Sequence, residues 1–166
     1  MRIYNLSKSA RDEVFEKSSQ LLDGVKSKDL KIAESDDGTF AIIFDSRAKL
    51  FLGRNNEIRD FLFPLLKDET ILPKLPTVTV DSGAIKFVCN GANIMRPGII
   101  KVEGEFSKSS IVLVKEQKYG KAISVGLSTL SKTDLESASK GSVIENLHYV
   151  GDKFWEGLKE ATESAG

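Results

Sequence analysis

The chain has 166 residues, 40% hydrophobic and 29% charged, with 24 basic and 24 acidic side chains. That length buries a proper core and suits one large domain or two small ones. The charge balance excludes a protein that holds nucleic acid by overall positive charge, and no apolar run approaches the roughly 18 residues of a membrane helix. A single cysteine, Cys89, excludes an intramolecular disulfide framework, and early charges in MRIYNLSKSARDEVF break up any signal-peptide core. The expectation is a cytosolic protein.

In chain order, Leu6, Ala10, Val14, Leu21, Leu22 and Val25 recur at helical spacing, with Ser7 or Ser9 placed as N-cap and Gly24 near the end. Three strand-like runs follow, LKIAES, TFAIIFDS and AKLFLGR, the first two separated by the hairpin signal Asp36-Asp37-Gly38. Ile58, Phe61, Leu62, Leu65 and Leu66 then trace an amphipathic helix face, with Pro64 placed to kink it or to start a second segment. Pro73 and Pro76, in ILPKLPTV, make a short stiff linker, and the domain boundary is expected there. Residues 1–75 thus read as one α+β domain.

The second half is mostly strands: VTV, IIKVE, SSIVLVKE, KAISVGLS and SVIENLHYV, with turn signals between them. Ile111-Val112-Leu113-Val114 is continuously apolar, as a strand buried on both faces would be. Tyr119-Gly120 marks a hairpin tip. Ser131-Lys132-Thr133-Asp134 opens a short helix by a capping-box-like pattern, and Lys140-Gly141 is placed to close it. Short strands at this spacing, with two small helices among them, predict a closed or nearly closed barrel.

The stretch Asp81–Ile99, DSGAIKFVCNGANIMRPGI, packs its glycines and proline around one short helix signal. Asp81 or Ser82 is placed to cap a helix over 83–90, Ile85, Val88 and Cys89 face inward, and Gly91 supplies a left-handed stop. Lys86 and Asn90 share the opposite face, and Pro97-Gly98 suits a type II turn. The expected result is a glycine-edged ledge carrying Lys86, Asn90, Asn93 and an outward-projecting Arg96. Backbone amides, amide side chains and a guanidinium suit a phosphate–sugar chain. Glycines around a small helix also serve as tight connections in a barrel, and the residues alone leave both readings open. Any nucleic-acid surface must be local, since residues 1–75 carry 13 basic and 13 acidic side chains and the remainder 11 of each. Arg96 to Lys121 is one such patch, with Arg96, Lys101, Lys108, Lys115, Lys118 and Lys121 against Glu103, Glu105 and Glu116.

VDSGAIKFVCNGANIMRPGI, the strand AISVGLS and the close KGSVIENLHYVGDKFW make Val78–Trp155 resemble a PUA domain, the RNA-binding module named for pseudouridine synthases and archaeosine transglycosylases. GAIKFV, GANIM, PGI, KG, IEN and HY followed by Trp, with ILP upstream, resemble the malignant-T-cell-amplified-sequence family of translation factors and its archaeal relatives. The resemblance implies an α+β fold in which a pre-PUA domain over 1–75 precedes a PUA β-pseudobarrel over 76–157, with a C-terminal tail over 158–166. It implies structured RNA, tRNA or rRNA, as ligand, held by Lys86, Asn90, Gly91, Ala92, Asn93, Met95, Arg96 and Gly98 with His148 and Tyr149 from the last strand. It also implies a non-catalytic role on the small ribosomal subunit in initiation or recycling, beside a partner like density-regulated protein. The alternative is an accessory subunit that presents tRNA or rRNA to a pseudouridine or archaeosine enzyme.

Several residues carry a plainer reading as well. His148, the only histidine, serves as a structural hydrogen-bonder as readily as an RNA contact, and no second ligand stands near it at metal-site spacing. Cys89 reads as a small packed hydrophobe, and Met95 fills a core gap as readily as it touches a ribose. Phe154 and Trp155 are expected to anchor the tail onto the barrel. Lys115, Lys118 and Lys121 rank second to the ledge as an RNA surface. No Gly-rich phosphate loop, nucleophile–base set or metal cluster is present in the sequence, so no catalytic residue, metal or cofactor is expected.

Overall fold

The structure is a computed structural model and describes residues 1–17, 29–45, 49–53 and 62–165. In chain order its elements are β1 (Arg2–Asn5), α1 (Lys8–Lys17), β2 (Lys31–Glu34), β3 (Phe40–Phe44), β4 (Lys49–Gly53) and β5 (Leu62–Pro64). Then follow β6 (Thr77–Val80), α2 (Ile85–Val88), β7 (Ile94–Met95), β8 (Ile99–Glu103), β9 (Ile111–Glu116) and β10 (Ala122–Ser128). The chain closes with α3 (Lys132–Ser137), β11 (Ser142–Tyr149) and α4 (Lys153–Ala165). They form two compact units, Met1–Pro73 with Lys153–Gly166, and Lys74–Asp152.

The first unit is an antiparallel sheet in the order β1-β2-β3-β4-β5. Every residue of β3 is buried, because both faces of this strand are covered. Ala41 and Ile43 join Val14 of α1 with Leu30, Ile32 and Ile71 in one apolar cluster. Phe40 and Ile42, on the alternate face, meet α4. The turn between β2 and β3 is fixed by Asp37, which accepts the backbone N–H of Thr39 at 3.0 Å and the hydroxyls of Thr39 and Ser35 at 2.8 Å each. Ser7 caps α1, its Oγ accepting the N–H of Ala10 at 3.2 Å. Leu21, Leu22, Gly24 and Val25 lie outside the described residues.

Two expectations fail in this unit. The helix expected from Ile58 to Leu66 is not formed where the chain is described, since Leu62–Pro64 is a strand paired with β4; Ile58 and Phe61 lie outside the described residues. Pro64 therefore kinks no helix. It pairs with Leu50 on an edge strand, where a missing N–H costs no interior ladder bond. The second failure is the tail. Residues from Lys153 onward form α4, whose Phe154, Leu158 and Ala161 are buried at helical spacing. Phe154 stands edge-on to Phe40, centroids 5.2 Å apart, so this segment packs on the first sheet. The second compact unit accordingly ends at Asp152.

The second unit is a six-stranded sheet in the order β7-β11-β10-β9-β6-β8. Its two edge strands, β7 and β8, are consecutive in sequence and joined by the single 3-10 turn Arg96–Gly98. A three-residue connection spans roughly 10–15 Å at most, so the edges must approach and the sheet must curl into a half-barrel. The N–H of Arg96 bonds the carbonyl of Gly141 at 2.8 Å, and that of Asp81 the carbonyl of Gly98 at 2.9 Å, which ties the seam. Inside lie Val78, Val80, Val112, Val114, Ile123 and Ile144, with Leu135 of α3 fully buried among them. Ser131 caps α3 through its Oγ, which accepts the N–H of Asp134. The helix ends at Ala138, short of Lys140-Gly141, so Gly141 serves the entry to β11 and not the helix stop.

Candidate nucleic-acid interface

The ledge is built from a shorter helix than its spacing predicts. A 3-10 turn over Ser82–Ala84 runs into α2, and the entry is tightened by the carbonyl of Asp81 accepting the N–H of Ala84. Neither the Asp81 nor the Ser82 side chain provides the expected cap: Asp81, the N-cap, makes no side-chain cap bond. Ile85, Val88 and Cys89 do turn toward the barrel core, and burial raises the Cys89 thiol above its ordinary pKa, which disfavours the thiolate. Gly91 ends the segment at φ +93°, and a Cβ there would stand 3.3 Å from Cε1 of Tyr149 and 3.4 Å from its hydroxyl. Glycine is required twice over, by the left-handed backbone and by the ring lying against it.

What holds this loop in place is Asn146, a residue absent from the sequence-derived site. Its amide nitrogen donates to the carbonyls of Val88 and Ala92, each at 3.0 Å, and its Oδ1 accepts the hydroxyl of buried Ser124 at 2.8 Å. The backbone N–H of Asn146 in turn donates to Oδ1 of Asn93 at 3.0 Å. One strand residue thus fixes both ends of the glycine loop. The run SVIENLHYV shows this asparagine between Glu145 and Leu147, but its loop partners stand more than 50 residues away.

Beside the loop opens a groove of about 500 Å³, walled by Ala84, Phe87, Val88, Ala92, Ile94 and Met95. Phe87 is 58% exposed and Met95 50%, so two large apolar side chains stand on its rim uncovered. Lys86 Nζ lies 5.0 Å from the Phe87 ring centroid. Lys86, Asn90, Gly91, Ala92 and Asn93 are all exposed, and of these Ala92 and Asn93 line the groove. The helical pattern assigns core positions and says nothing about an aromatic on the outer face, so Phe87 has no signal in the sequence.

Two sequence-derived contacts are placed elsewhere. Arg96 does not project. Its Nε donates to the Leu135 carbonyl at 2.8 Å and one terminal nitrogen to the Ile99 carbonyl at 3.1 Å, so the guanidinium is drawn against α3 and β8. Joining helix to strand across the barrel seam satisfies it better than solvent does. His148 is fully buried, with Nδ1 within 2.9–3.0 Å of both carboxylate oxygens of Asp152, and so presents no face to a ligand. Pro97-Gly98 forms part of the 3-10 turn and not the expected type II turn, so Gly98 borders the groove as part of the seam. Tyr149 is half-buried against Gly91.

The PUA-domain family model matches residues 76–150. An uncharacterised protein of Methanocaldococcus jannaschii is 37% identical over 130 residues, covering 78% of this chain and 77% of its own. The chain belongs to the PUA-domain family. Translation machinery-associated protein 20 of Saccharomyces cerevisiae is 37% identical over 103 residues, 58% of this chain and 57% of that one. Malignant T-cell-amplified sequence 2 of Homo sapiens is 42% identical over 84 residues, 49% of this chain and 46% of that one. The PUA-domain protein thus spans about half the length of these eukaryotic relatives, of which the yeast protein is named for the translation machinery. A PUA-domain structure from Aeropyrum pernix K1 superposes with a TM-score of 0.77 at 24% identity, covering 95% of this chain and 91% of that one, which shows the fold. Among the described residues no helix is long and apolar enough to cross a membrane.

Proposed function

We propose that the PUA domain holds structured RNA, tRNA or rRNA, across the α2–glycine-loop ledge, as a non-catalytic cytoplasmic factor acting at the small ribosomal subunit. The observation that carries this reading is the groove, about 500 Å³, lined by exposed Phe87, Met95 and Asn93, with Lys86 Nζ 5.0 Å from the Phe87 ring. An unpaired base or ribose suits the apolar wall, while the backbone runs along the rim and the bare backbone at Gly91. Asp81 at the groove wall disfavours a phosphate inside it and suits a base amino group instead. The relatives' names support translation as the setting, and a partner like density-regulated protein belongs to the same reading.

The test is binding of tRNA and of small ribosomal subunits by the parent, Phe87→Ala and Lys86→Ala. Both variants are expected to bind more weakly at unchanged melting temperature, because both side chains are exposed. Parent-like binding by both would remove the ledge from the interface.

A further inference from the structure

The hairpin between β9 and β10 is built with more care than a surface connection needs. Glu116 is only 3% exposed, and its carboxylate accepts three backbone N–H groups of the tip: Lys118 at 2.6 Å, Tyr119 at 2.9 Å and Lys121 at 3.0 Å. Its main chain adds two bonds, the N–H donating to the Lys121 carbonyl at 2.9 Å and the carbonyl accepting from Gly120 at 3.1 Å. A carboxylate so enclosed spends its charge on the loop it organises. Those N–H groups, with Lys121 foremost, hold its pKa below the usual value.

What this scaffold presents is Tyr119, 72% exposed, with Lys118 Nζ 5.1 Å from its ring centroid. Folding gains little from an aromatic left in water, yet the backbone beneath it is fully determined. A ligand that stacks on that ring would meet it with the ordering cost already met. The neighbours Gln117, Lys118, Gly120 and Lys121 are exposed and polar or bare, which suits an anionic chain and not an apolar protein surface.

The strand register places this tip beside the groove. Glu116 pairs with Val80, and the N–H of Gln117 donates to the Val80 carbonyl at 3.0 Å; Val80 and Asp81 both line the groove. At the same end of the sheet Ser124 pairs with Tyr149, whose ring covers Gly91. We propose that the β9–β10 tip is a second RNA contact, in which Tyr119 stacks on an unpaired base while Lys118 and Lys121 meet flanking phosphates. This rests on the reading of the PUA domain as an RNA-binding module, and it extends the footprint of one RNA from groove to tip.

The experiment measures affinity for a stem–loop with an unpaired tail and for a blunt duplex, using the parent, Tyr119→Ala, Tyr119→Phe and Phe87→Ala. Tyr119→Ala is expected to lose about tenfold on the tailed RNA at unchanged melting temperature, while Tyr119→Phe stays within about twofold. On the blunt duplex Tyr119→Ala is expected to match the parent. Parent-like binding of the tailed RNA by Tyr119→Ala, with Phe87→Ala weakened, overturns the tip and leaves the groove standing. Equal losses on tailed and blunt RNA overturn stacking. A parent that binds neither RNA overturns the tip and the ledge together.

Discussion

Arg96 is a clasp. Two bonds from one guanidinium join β8 to α3, and the backbone N–H of the same residue reaches Gly141 at the entry to β11. Arg96→Ala removes both charge-assisted bonds that tie α3 to β8 and leaves the Leu135 carbonyl only the Ala138 N–H at 3.2 Å, and should cost about 2 kcal/mol of stability in denaturant unfolding. Arg96→Lys should recover little, because an ammonium cannot reproduce a planar fork aimed at two carbonyls. RNA affinity of Arg96→Ala, measured well below its melting temperature, should stay close to that of the parent. Asn146 acts oppositely. Asn146→Ala removes both donors to the loop carbonyls and the acceptor for Ser124, so amide exchange at Gly91 and Ala92 should accelerate and RNA binding weaken together. Exchange unchanged in that variant would mean the loop holds itself.

At the scale of elements, two turns are held by carboxylates that stay ionised. Asp37, bonded by the backbone N–H and hydroxyl of Thr39 and the hydroxyl of Ser35, has its pKa lowered from 3.8 to about 2. Glu116 is lowered from 4.5 by the N–H groups of its own hairpin. Each is depressed on folding, so each contributes stability above its unfolded value that is lost as pH falls through the folded one. For Asp37 that window runs from 3.8 down to about 2; for Glu116 it begins at 4.5 and extends below. Glu116→Gln should flatten the upper part of the acid unfolding curve and leave the Asp37 part, which carboxylate titration by NMR would resolve. Helix α4 has its own constraint. A Cβ at Gly157 would stand 2.9 Å from the Phe40 ring and 3.2 Å from Ile42, so Gly157→Ala should lower the melting temperature although alanine is the better helix former.

Across the whole molecule, the last residues complete the first unit. Removing 153–166 exposes the Phe40 and Ile42 face of β3 and should unfold that unit. The barrel retains its own core, so amide exchange should remain slow in β9 and β10 of the truncated chain and become fast in β3. Slow exchange in β3 after truncation would show that α4 is dispensable. Formal net charge is zero, so RNA affinity should fall with salt along a shallow slope set by a few lysines. A steep slope would require phosphate contacts well beyond Lys86, Lys118 and Lys121.

Local sequence determined β2–β4 of the first sheet, β6 and β8–β11 of the second, the cap at Ser131 and the stop at Gly91, because apolar alternation, capping oxygens and a left-handed glycine act over a few residues. The segment around Leu62–Pro64 misled, since a short apolar run satisfies a helix face and an edge strand alike, and pairing with β4 decided between them. The same limit governed the site. Lys86, Asn90 and Asn93 were legible as an exposed rim, whereas the inward turn of Arg96 depended on a carbonyl 39 residues away and the burial of His148 on Asp152 across a turn. Periodicity states which face of an element is apolar but not which element covers it. The packing of α4 on β3 and the grip of Asn146 on the glycine loop were therefore decided by tertiary structure, where distant donors and acceptors meet for the first time.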